Sequence, residues 1–242
     1  MSESPAWEPA VVVVGLGAAG TASVERIDTD TAATLRTVDD PPETPASLRD
    51  AVVDAAFVFL TGDADEAGVV GCAHDLARST GACSVFVAEG LSDVPSELTA
   101  ALNLVVPIDR DAVSPLVVSS LLADLFEAMM TPTVRALGHG DVRVVAGDGR
   151  VGRLAIRLPD DDDPTWVSPR VGGGERDAAL VFVCAERERS PATVERAAGV
   201  ADGVGLGALL WDQRIHERYA DASHVKRLVT VDPEASPGAP RD

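Results

Sequence analysis

Ala10-Val11-Val12-Val13-Val14-Gly15-Leu16-Gly17-Ala18-Ala19-Gly20 is the stretch on which the fold turns. The unbroken β-branched run over residues 10–14 is what a strand covered on both faces requires. A Gly-x-Gly-x-x-Gly turn follows at once, and a short helical stretch runs on to Ile27. Such a turn lets backbone N–H groups approach an anion at a helix N-terminus. Glycine is required where a side chain would block that approach or where φ is positive. The same turn also serves with no ligand, purely to seat a helix on a strand. A Rossmann-type dinucleotide site is a third reading. Asp39, about 20 residues beyond Gly20, would then cap a strand Thr34–Val38 and take the ribose. Against it, the first helix is short and two clear mononucleotide halves are lacking downstream.

Outward from the turn, Asp39-Asp40-Pro41-Pro42 breaks the chain. Residues 48–54 read as helix, 55–60 as a second buried strand, 62–71 as a loop or helix start and 72–79 as helix. Strands are expected at 83–88 and 102–107, and residues 114–130 carry the 3.6-residue apolar spacing of a helix. Residues 142–145 and 153–158 are short strand candidates. Strands alternating with helices imply an α/β fold, a Rossmann-like mostly parallel sheet with helices on both faces. The domain plan is a tail (1–9), a nucleotide-binding domain (10–158), an acidic, Gly-rich linker or loop (159–175), a small α+β C-terminal domain (176–232) and a second tail (233–242). Within the third unit, residues 178–184, 206–212 and 226–231 read as strands and 190–203 as a helix.

The formal charge is −19, from 39 acidic and 20 basic residues, and Lys226 is the only lysine. Acids spread along the whole chain over a 46% hydrophobic composition read as the surface of a salt-adapted, folded protein rather than as disorder. This charge speaks against a nucleic-acid partner, which needs a basic footprint, and against anionic lipid. The start, residues 1–9, is polar without the basic opening of a signal peptide, and no apolar run is long enough to span a bilayer. A cytoplasmic location without membrane insertion is expected. Cys72, Cys83 and Cys184 have no metal-type spacing and read as buried thiols.

Several stretches together resemble the FtsZ/tubulin superfamily, in a haloarchaeal, divergent form. Gly15 to Ile27 is similar to the first nucleotide loop and helix of FtsZ, GxGGGGxNAVNRM, with Ala18 and Ala19 at glycine positions and Ala22 at the asparagine. Residues 28–35 resemble NTDAQAL. Asp54 to Gly62 resembles DMVFVTAG, but the GGGTGTG signature that should follow reads Asp63-Ala64-Asp65-Glu66-Ala67-Gly68-Val69-Val70-Gly71. Residues 81–87 resemble GALTVGVV, and residues 104–110 resemble LIVIPNDR. Residues 132–146 align with the synergy loop PGLINLDFADVKTVM, with Gly138 and Asp141 at its two aspartates. The helix at 190–203 is similar to that of the family's second domain.

The resemblance implies GTP or GDP, with Mg²⁺ if nucleotide binds, held by Gly15, Gly17, Ala18, Ala19, Gly20, Asp30, Gly62, Gly68, Gly71 and Asp109. It implies Asp141 as the surviving catalytic carboxylate, and self or FtsZ/tubulin-like homologues as partners. The departures point to weak or absent GTP binding, or to a strict requirement for high salt or divalent metal. Asp63, Asp65 and Glu66 would stand beside a triphosphate with no P-loop-type lysine to offset them. Loss of a carboxylate at position 138 impairs the orientation of water, so the chain reads as more a non-enzyme than a GTPase. Asp160 to Asp163 read as a solvated loop, and no metal site is expected. His139 reads as a packing or turn residue, and Phe182 and Trp211 as core.

Overall fold

The valine run forms strand β1, Val11–Leu16, every residue of which is buried. Its side chains alternate between two cores: Val11 and Val13 enter one, while Val12, Val14 and Leu16 enter the other. That alternation is why a strand with both faces covered needs an uninterrupted apolar run. The structure, a computed structural model, describes residues 10–27, 34–39, 44–112, 115–130, 139–157, 165–169, 176–198, 208–219 and 223–231.

Among these residues the strands are β1, β2 (Thr34–Val38), β3 (Phe57–Asp63), β4 (Cys83–Glu89), β5 (Leu104–Ile108), β6 (Arg150–Arg157), β7 (Thr165–Trp166), β8 (Arg176–Ala185), β9 (Ala208–Ile215) and β10 (His224–Val231). The helices are α1 (Gly17–Val24), α2 (Ala46–Val52), α3 (Val69–Ser79), α4 (Ser96–Ala101), α5 (Pro115–Met130), α6 (His139–Ala146) and α7 (Pro191–Ala198).

They build one sheet in the order β2-β1-β3-β4-β5-β6-β10-β8-β9, with β7 against β6. The first five strands are mutually parallel. β6 continues parallel to β5 over a short register, and β10 then pairs antiparallel with both β6 and β8. This is an α/β fold with a mostly parallel sheet and mixed strands toward its C-terminal end. Helices α1, α5 and α6 pack on one face, and α2, α3 and α4 on the other. Helix α7 closes a smaller core with Val181, Val183 and Val225.

Residues 142–145, expected as a strand, lie instead in α6. Val142, Val145 and Ala146 are buried at helical spacing while Val144 points outward. A short valine-rich run does not distinguish the two states by itself, and the position of the core decides. β7 and its pairing with β6 fall inside the stretch expected as a linker. The rest of residues 158–164 and 170–175, like both tails, lies outside the described residues.

One polar junction ties α5 to the C-terminal strands. Lys226 Nζ on β10 meets Asp124 Oδ2 on α5 at 2.5 Å and also bonds Ser120 Oγ. The Tyr219 hydroxyl donates to Asp124 Oδ1 at 2.5 Å, and the Cys184 thiol donates to Asp124 Oδ2 at 3.5 Å. Lys226 is 1% exposed and Asp124 fully buried. Burial and the Asp124 carboxylate both push the Cys184 thiol well above its ordinary range. A cavity of about 500 Å³ lies beside this junction, between α5 and β10.

Candidate functional site

With the order β2-β1-β3, the chain steps from β1 to one side and returns past it to the other. A crevice therefore opens beyond the C-terminal ends of β1 and β3, where ligands bind in open α/β sheets. Three glycines shape it by what they exclude. A Cβ on Gly15 would strike the backbone of Gly20, one on Gly20 would strike the Thr61 carbonyl, and one on Gly62 would lie 2.6 Å from the Leu16 carbonyl. These glycines seat α1 on the sheet. Gly17 is different: its φ is +70°, and a Cβ there would run into the Glu66 carboxylate.

Leu16, the residue that caps α1, supplies no side-chain hydrogen bond, and the first turn carries no acid. Its amides are met from 48 residues away. Ala18 N–H donates to Glu66 Oε2 at 2.9 Å and Ala19 N–H to Glu66 Oε1 at 3.4 Å. Carboxylate and helix N-terminus attract one another through the aligned peptide dipoles. The head of α1 is thus an anion site, and in this arrangement it holds a carboxylate of the chain itself.

The loop that carries Glu66 is fastened on its other side. Asp65 N–H donates to Asp63 Oδ1 at 2.9 Å, and Ala64 N–H to the Glu89 carbonyl at 2.8 Å. Arg110, just past β5, bonds Asp63 Oδ1 and meets Asp65 Oδ2 at 3.0 Å. Asp63 first, then its own hydrogen bonds and Asp65, hold the Arg110 guanidinium more firmly charged than usual. Glu89 is buried at the tip of β4 and accepts a 3.5 Å bond from the Ser23 hydroxyl of α1. Burial, then repulsion from Asp63, raises its carboxyl above the ordinary range. Asp109 and Asp111 complete the rim, with the Asp109 carboxylate accepting from Asp111 N–H at 3.1 Å.

Of the residues singled out in the sequence, the structure gathers Gly15, Gly17, Ala18, Ala19, Gly20 and Gly62 at the crevice, with Asp109 farther along the rim. Gly68, with φ +85°, caps α3. Gly71 lies inside α3 with open space around it rather than in the loop. Asp30 and Gly138 lie outside the described residues. Asp141 sits in the first turn of α6. Its neighbour two residues on, Arg143, covers the Phe57 ring at 5.8 Å, at the start of β3. Helix α6, which carries Asp141, and the glycine turn therefore belong to opposite ends of the parallel strands. Asp39, at the tip of β2, stands beside α1, and its Oδ1 accepts a 2.8 Å bond from the Thr21 hydroxyl.

No family model matches the sequence, and no curated protein does. Solved structures do. An FtsZ dimer of M. jannaschii aligns over 94% of this chain and 89% of its own, with a TM-score of 0.69 and 16% identity. CetZ2 from Haloferax volcanii, a GTPγS-bound protofilament, aligns over 92% of each chain with a TM-score of 0.60 and 15% identity. CetZ1 from the same organism, a GDP-bound monomer, gives 0.59 and 11% identity over 92% of this chain and 93% of its own. The mostly parallel sheet with helices on both faces and a glycine turn after its first strand places the chain among doubly wound α/β folds. Within that class its fold is that of the FtsZ/tubulin superfamily.

Proposed function

We propose that the chain acts as a non-hydrolysing component of FtsZ/tubulin-like assemblies. It binds a second copy of itself, or a homologue of that superfamily, and modulates assembly in division or cell shape. The observation that carries this reading is the charge of the rim. Asp63, Asp65 and Glu66 stand at the crevice, with Glu89 buried beside it and Asp109 and Asp111 farther along the rim, and Arg110 is already engaged by two of them. A triphosphate there meets like charge at close range, which high salt only partly screens. Association is supported by the placement of Asp141 at the far end of the sheet, where it meets a glycine turn only between two copies. It is supported too by the relatives solved as a dimer and as a protofilament.

The test is GTP hydrolysis at rising protein concentration in molar KCl with Mg²⁺, alongside sedimentation with and without an FtsZ- or CetZ-like homologue. Pelleting without phosphate release is expected. Hydrolysis whose specific rate climbs with concentration overturns the reading in favour of a divergent GTP-binding, polymer-forming GTPase. That second reading is favoured by the nucleotide-bound state of CetZ1 and CetZ2.

A further inference from the structure

We propose that the Glu66 carboxylate is a built-in substitute for phosphate at the head of α1. It would keep the crevice closed whatever the nucleotide supply. The proposal deepens the function above and rests on it for the premise that this crevice is the counterpart of the relatives' nucleotide site.

The geometry is that of a bound anion. Each carboxylate oxygen takes one of two successive amides, Ala18 N–H at 2.9 Å and Ala19 N–H at 3.4 Å. The space in front of Gly17, where a missing Cβ would let an anion come close, is filled by that same carboxylate and by Val69. No side chain of α1 itself does this work, since its capping residue is Leu16 and its first turn has no acid. A solvent-facing acid would not need to lie across the crevice. Glu66 does so because its backbone is set by the turn around it. Glu66 N–H donates to the Asp63 carbonyl at 3.0 Å, and Val69 N–H to the Glu66 carbonyl at 3.3 Å. Arg110 clasps Asp63 and Asp65 on the side away from α1. An incoming phosphate must expel Glu66 and then lie beside carboxylates whose one guanidinium is already taken.

Thermal unfolding of the full chain in molar KCl tests this, comparing wild type and Glu66→Ala with and without inorganic pyrophosphate at constant ionic strength. Loss of the cap lowers the midpoint of Glu66→Ala by about 2–4 °C. Pyrophosphate restores it, and the wild type does not respond. An unchanged midpoint in Glu66→Ala means the contact is not made and overturns the proposal. So does a wild type stabilised as much as the variant, which means the crevice is open. A loss that pyrophosphate does not restore makes Glu66 an ordinary cap and overturns it as well. Should Glu66→Ala not fold, Glu66→Gln carries the same comparison, since it keeps one acceptor and removes the charge. These results are independent of the hydrolysis assay. A chain that neither hydrolyses GTP nor shows rescue leaves the proposed function standing and removes only this inference.

Discussion

Arg110 and Lys226 each hold carboxylates together, yet the two sites have little else in common. Arg110 lies on the rim with its side chain 48% exposed, among acids that outnumber it. Lys226 is 1% exposed and faces one carboxylate, Asp124, which also accepts from Tyr219 and Cys184. In the first site water and salt carry most of the excess charge. In the second both charged groups are buried, so each donor must find an acceptor. The contrast teaches where this chain tolerates change. Charges on the rim alter what the surface repels at little cost to the fold, whereas the charges at the α5–β10 junction are buried and help to hold that helix on the C-terminal strands.

Removing the buried cation is the most severe way to test that contrast. Lys226→Met leaves Asp124 charged and desolvated, so the stability read from denaturant unfolding should fall by about 3–5 kcal/mol. Adding Asp124→Asn should recover part of the loss. A drop no larger than that of a rim substitution would show that the junction does not hold α5 on β10.

Glu89 lies between the two settings, at the rim but buried. Its carboxyl is raised above the unfolded value, so between those two values the folded chain holds more protons than the unfolded one. Stability contributed by this group therefore falls as pH rises through that window and levels off above the folded value. Glu89→Gln should remove that slope. It should match wild type at acid pH and exceed it at neutral pH in thermal midpoint, and a variant weaker than wild type at neutral pH would contradict the sign. The smallest effect belongs to Arg110→Ala. Its shift in midpoint should be well below that of Lys226→Met and should shrink as KCl is raised.

The buried strands of the parallel sheet were legible because runs such as residues 10–14 and 57–60 admit few other fates, whereas the order in which they pair was not. The glycine turn was legible as a turn, but whether it faces a ligand or a carboxylate was not. Glu66 and Ala18 are distant in sequence, and only the folded loop brings them together. A signal was present in the head of α1, which has neither a capping side chain nor an acid of its own. Residues 142–145 were misread because valines spaced for a strand are also spaced, over so few residues, for a helix resting on the core. The junction was missed for a different reason. Ser120 and Asp124 sit one turn apart on the mostly apolar α5, beside Leu121, Leu122 and Leu125, and a buried carboxylate there calls for a buried cation. Lys226 was the one lysine available to supply it.

That solitary lysine gives the folded protein an unusual chemistry. Apart from the α-amino group, the chain has no other primary amine, and this one is enclosed. Acylating reagents, imidate crosslinkers and amine-directed dyes therefore find almost nothing on the native surface. Lys226 is 1% exposed and paired with Asp124, so acylation at position 226 should be slow and should quicken when the α5–β10 junction loosens.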